Sequence, residues 1–98
     1  MSLFDGNIIT DEYLSENKFT LSCDTQLNTY WRKTQQSQVN SFISYEFKYF
    51  VGKHSSYPQG TLVIRTWKSF INPELLTTVK YENVFDVIDL ESISHQYP

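Results

Sequence analysis

The chain has 98 residues, a mass of 11.6 kDa and a formal charge of −3, with 40% hydrophobic and 19% charged residues. That is enough apolar material for one small core, and it excludes a disordered chain, which combines low hydrophobicity with high net charge. One cysteine excludes an internal disulfide, and no apolar run approaches the roughly 20 residues of a membrane-spanning helix.

A single small domain over residues 1–98 is therefore expected, with a frayed polar tail from about residue 92. The first residues lack the basic and apolar regions of a secretory signal, which points to a soluble, cytoplasmic protein. The charge is unevenly distributed. Asp5, Asp11, Glu12, Glu16 and Asp24 oppose only Lys18 in the first 24 residues, and Glu82, Asp86, Asp89 and Glu91 stand without a base in the last 18. Between them Arg32, Lys33, Lys48, Lys53, Arg65, Lys68 and Lys80 outnumber Glu46 and Glu74. A basic middle thus lies between acidic flanks, although sequence does not say whether the two are separate in space.

In chain order, Thr10 can cap a short helix over 11–16, with Asp11 and Glu12 at the favourable end of its dipole. Lys18 to Cys23 reads as a strand, with Cys23 a semi-buried small hydrophobe. Leu27, Thr29 and Trp31 alternate with Asn28, Tyr30 and Arg32 and predict a second strand, followed by a polar hairpin loop over 34–38. The strongest element spans 39–51. Val39, Ser41, Ile43, Tyr45, Phe47, Tyr49 and Val51 share one parity, and Asn40, Phe42, Ser44, Glu46, Lys48 and Phe50 share the other. This period of two specifies a long antiparallel strand with one apolar face.

Gly52 to Gly60 carries a loop signal, and 61–67 returns as a strand, giving a long central hairpin over about 39–67. Asn72-Pro73-Glu74 has the order of a helix start, so a short helix is predicted there, and 84–90 is predicted as a last strand. The expected fold class is α+β or mainly β: an antiparallel sheet of four to five strands with one or two short helices.

Chemistry is sparse by the same reading. His54 and His95 are far apart in sequence, no metal-ligand spacing occurs, and no glycine-rich phosphate or dinucleotide loop is present, so no cofactor or metal is expected. His54 beside Ser55 and Ser56 lacks the third group that orients a nucleophile's base. Asp86 and Asp89 fall on opposite faces if 84–90 is a strand. The chain is accordingly expected not to be an enzyme.

What stands out is an aromatic and basic set: Tyr30, Trp31, Arg32, Lys48, Tyr49, Lys53, Tyr57, Arg65, Trp67 and Lys68. Tyr, Trp and Arg concentrate binding energy at interface centres, so the leading expectation is a protein-binding or structural module that engages a protein partner or a second copy of itself. The same residue types also suit single-stranded nucleic acid or another polyanion. A third reading is a small-molecule binder or enzyme with an aromatic-lined cavity between sheet and helices, using groups such as Tyr45, Glu46 or His54; parity already sets Tyr45 and Glu46 on opposite faces.

Overall fold

Successive strands pair in chain order in a five-stranded antiparallel sheet: β1 (Thr20–Thr25), β2 (Asn28–Gln36), β3 (Ile43–Phe50), β4 (Leu62–Ser69) and β5 (Pro73–Tyr81). Helix α1 (Asp11–Glu16) precedes the sheet and α2 (Val87–Ser94) follows it. This computed structural model describes residues 8–25, 28–51, 57–69 and 71–98. The expected fold class is the one observed. Among the described residues no helix is long and apolar enough to cross a membrane.

The parity of β3 decides where everything else goes. Phe47 stands opposite Lys33 on β2 and Ile64 on β4, and Tyr49 stands opposite Trp31 and Leu62. These residues form the side that both helices cover. Leu14 of α1 and Leu90 of α2 meet Phe19, Tyr45, Phe47, Tyr49, Leu62, Ile64 and Val84 in one buried cluster. Each fully buried Leu, Ile or Phe there is worth about 1.5–3 kcal/mol of removal from water.

The chain enters this core through a well-built helix. The Thr10 hydroxyl accepts the Tyr13 N–H at 3.1 Å, as the capping argument anticipates. At the other end Phe19 N–H donates to the Leu14 carbonyl at 2.9 Å and Lys18 N–H to that of Ser15 at 3.3 Å. This is a Schellman ending, and its hydrophobic contact is Leu14 with Phe19 inside the core. It forces Lys18 to φ 72°, a conformation that suits glycine.

Two predicted elements exchange places. Residues 73–81 are β5 rather than a helix. Pro73 opens an edge strand, where its missing N–H costs nothing, and Thr77, Thr78 and Val79 are β-branched. An irregularity in the pairing where Trp67 meets Leu75 leaves Leu76 unpaired and hides the alternation. Conversely 87–94 is helical, because the Asp86 carboxylate accepts the Ile88 N–H at 2.9 Å and caps it. Val87, Leu90 and Ser94 then recur on the side turned to the sheet.

Smaller corrections follow the same physics. β2 continues through the predicted 34–38 loop to Gln36, and the turn is built around buried Ser37, whose Oγ accepts the N–H groups of Val39 and Asn40 and donates to the Pro98 carbonyl at 2.8 Å. The predicted strand over 39–51 is correspondingly shorter, at Ile43–Phe50. Cys23 is exposed on β1, an edge strand, rather than semi-buried. The expected frayed tail is held down: Tyr97 lies edge-on to Tyr45 and Phe47, and its hydroxyl is 2.8 Å from that of Tyr81.

The loop from Pro58 into β4 is locked by Gly60. Its N–H donates to the Phe50 carbonyl at 3.1 Å and its own carbonyl accepts Val84 N–H at 2.8 Å, at φ +89° with the Phe85 ring against its Cα. A side chain there would meet that ring at 2.5 Å. Beside it the Tyr49 hydroxyl donates to the Val84 carbonyl at 2.6 Å.

Replacing Lys18 by glycine should raise stability by about 0.5–1 kcal/mol, because the left-handed residue no longer carries a Cβ; urea titration reads this as a higher midpoint at unchanged slope. Alkaline pH should act in the opposite direction. Burial, with Glu91 as a second cause at Tyr13, pushes Tyr13 and Tyr49 up to about 12 from 10.0, and burial with the Tyr81 contact pushes Tyr97 up as well. The unfolded chain therefore releases these protons first. The contribution of these tyrosines is complete below pH 10 and is lost as pH rises toward the folded-state values. Urea midpoints measured from pH 7 to 11 should be flat and then fall, with a shallower fall in Tyr49→Phe.

Candidate functional site

Among the described residues no helix covers the side of the sheet opposite α1 and α2. Its rows run Arg32, Lys48, Val63 and Lys80 across β2 to β5, then Thr34, Glu46, Arg65 and Thr78, then Gln36, Ser44, Trp67 and Leu75. Four cations and one carboxylate therefore share this face. The helix layer carries Asp11, Glu12, Glu16, Asp86, Asp89 and Glu91 and no lysine or arginine within either helix. Four bases of the middle, though not Lys33 and Lys68, thus lie across the sheet from the acidic helices.

One end of the open face is a small second core. The Tyr30 and Phe50 rings meet at a tilt with centres 5.4 Å apart, Tyr57 lies tilted against Phe50 at 4.7 Å, and Val63 completes the cluster. The Lys48 ammonium sits 5.0 Å from the Tyr30 ring centre and that of Lys80 5.9 Å from Tyr57, so both cations rest on ring faces. Tyr30 and Phe50 are only 7% and 4% exposed, which leaves their faces unavailable to an incoming ring.

The middle of the face is an ionic row. Glu46 lies directly across from Arg65 and diagonally from Arg32, the two relationships in which cross-strand side chains meet. Its carboxylate is 3.3 Å from Arg32 Nε and 3.7 Å from Arg65 Nη1. Two guanidinium groups on one carboxylate leave a surplus positive charge facing solvent. Beyond them Trp67 and Pro73, with Thr34 and Ser44, line an open groove of about 340 Å³ that reaches back to Arg32 and Glu46.

The structure thus gathers Tyr30, Arg32, Lys48, Tyr57, Arg65 and Trp67 from the predicted set on one face. Trp31, Tyr49 and Lys68 have the other parity and fall on the helix side: Trp31 packs against the main core, Tyr49 is buried within it, and Lys68 is exposed beside Glu74. Lys53 and His54 lie outside the described residues. Sequence reasoning offered Glu46 only to a cavity, not to this face, and missed Pro73 and Lys80. Parity with Lys48 was sufficient to put Glu46 on this face, whereas Pro73 and Lys80 were hidden by the helical reading of their strand.

Tyr45 and Glu46 project to opposite sides and share no pocket, and Tyr45 is sealed under Tyr97. Among the described residues no group of His, Cys, Asp and Glu is arranged to hold a metal ion. No protein-family model, curated protein or solved structure matches this chain.

Because Arg32 and Arg65 are partly exposed, Glu46→Gln should lower stability by no more than about 1 kcal/mol. The loss should shrink further in about 1 M salt, where charges are screened over a few ångströms. Urea midpoints of both proteins at low and high salt check this.

Proposed function

We propose that this protein is a non-enzymatic binding module that docks an acidic protein segment on the helix-free face of its sheet. The observation that carries this reading is the division between the two sides of the sheet: both helices and most of the acidic residues lie on one side, while Arg32, Lys48, Arg65 and Lys80 share the other with the Trp67 groove.

Charge and shape support complementary roles. The surplus positive charge favours encounter with an acidic partner and fixes its register. The groove beside Trp67 and Pro73 accepts one apolar side chain of that partner, and a Trp in a pocket flanked by Arg is the kind of residue on which interface energy concentrates. β5 lies at the sheet edge with Leu75 and Leu76 half exposed, extending the apolar margin of the groove.

A single-stranded nucleic acid is the second reading, favoured by the same surplus of cations. Sequence-tolerant strand binding relies on successive bases stacking on successive rings. Here Tyr30 and Phe50 are covered, so Trp67 is left to act with little aromatic company, which favours the protein segment.

Affinity capture with the immobilised protein tests the proposal. A defined partner should bind the wild type, and binding should weaken about tenfold or more with Trp67→Ala or with Lys48→Glu/Arg65→Glu, while Glu12→Lys on the helix side leaves it unchanged. Binding indifferent to the open-face changes would overturn the assignment. So would tight binding of labelled oligonucleotides that weakens steeply with salt and is lost in the same variants, since that is the signature of phosphate contacts.

A further inference from the structure

On the other side of the sheet, α1 and α2 leave between them a groove of about 310 Å³ whose floor is Phe19 and Lys33. Lys33 is an oddity there. It belongs to the parity that faces the core, and its ammonium lies 4.9 Å from the ring centres of both Phe19 and Phe47. Neither of the two ion pairs found among the described residues includes it. Burial pushes its pKa down from 10.5, since water has been removed and only ring faces replace it.

The same groove holds a carboxylate in a fixed position. The Tyr13 hydroxyl donates to Glu91 Oε2 at 3.2 Å, which ties α1 to α2 and leaves Oε1 available. Asn17 holds the same wall by donating its Nδ2 to the Tyr13 carbonyl at 2.8 Å, which turns its own amide oxygen loose for another donor. Lys33 and Glu91 line one groove without pairing with each other. Direct contact would neutralise both; without it the groove holds one positive and one negative pole, above the buried side chains of Phe19 and Leu90.

A ligand with a single charge suits this arrangement poorly. An anion drawn to Lys33 faces Glu91, and a cation drawn to Glu91 faces Lys33. A ligand carrying both charges satisfies both poles. The volume lies at the low end of the roughly 300–1,000 Å³ range of ligand pockets, which limits the occupant to a small molecule.

We propose that the α1–α2 groove binds a small zwitterion of the α-amino-acid class with a small side chain, its carboxylate on the Lys33 ammonium and its ammonium on Glu91. Phe19 and Leu90, at 5% and 1% exposure, only close the floor and offer no apolar surface, so the ligand's side chain is small, and the Asn17 amide oxygen is a second acceptor for the ligand's ammonium. The site is separated from the open face by the sheet itself, so it stands or falls independently of the partner-docking surface.

Titration of the ¹⁵N-labelled protein with glycine, L-alanine and L-serine tests this by amide shifts. At least one should give saturable shifts at Tyr13, Lys33, Glu91 and neighbouring residues. The N-acetyl derivative lacks the positive charge and the carboxamide derivative lacks the negative one; each should bind about tenfold more weakly or worse. Lys33→Met and Glu91→Gln should each cause a similar loss in proteins whose spectra remain dispersed, and Trp67→Ala should cause none. The absence of saturable shifts with all three amino acids at millimolar concentration overturns the proposal. So does equal binding of the capped forms, or binding indifferent to both variants.

Discussion

Along β3 the side chains of Tyr45, Phe47 and Tyr49 go one way and those of Ser44, Glu46 and Lys48 the other, and nearly every later feature depends on that alternation. A helix gains stability on a sheet only where it buries apolar surface. Since the central strand offers a continuous apolar stripe on a single side, α1 and α2 must share it. Leu14 and Leu90 meet there at 1% exposure each, and the opposite side keeps its charges in water. The partial separation of acidic from basic surface is therefore a consequence of packing: the helices bring their carboxylates with them, and the strands keep Arg32, Lys48, Arg65 and Lys80 on the face that remains.

Much of this was legible before any coordinates. The parity of 39–51, the return strand and the Thr10 cap were readable because each is a short-range signal with one dominant cause. The exchange of helix and strand after residue 70 has a physical origin too. Asn72-Pro73-Glu74 suits a helix start and an edge-strand start equally, and the choice is made by pairing with β4, a partner that propensity does not see. Val87 and Ile88 favour extended structure locally, yet Asp86 capping and the burial of Leu90 outweigh that preference.

The candidate site shows the same division. Chemistry and parity together select Arg32, Lys48, Arg65 and Trp67, while residue type alone also admits Trp31, Tyr49 and Lys68, which alternation sends to the helix side. The Lys33–Glu91 groove was beyond reach in sequence, because it needs β2 and α2 placed across from one another. Near the Trp67 groove, β5 exposes unpaired backbone at the sheet edge. Pro73 and the irregularity beside Trp67 interrupt that edge, the means by which proteins discourage indiscriminate strand pairing.

The order of elements carries a consequence for assembly in time. Every strand pairs with its immediate successor, so the sheet is built wholly from neighbouring segments, which close with little loss of chain entropy. The helix layer is different. Tyr13 and Glu91, which bridge the two helices, are 78 positions apart, and Ile8 pairs with Asp86 across a similar span. During synthesis the hairpins can zip as they emerge, but the apolar stripe of β3 stays half uncovered until α2 has been made. The nascent sheet is thus a sticky intermediate whose lid arrives last, and its dwell time is set by how quickly that final helix emerges and docks.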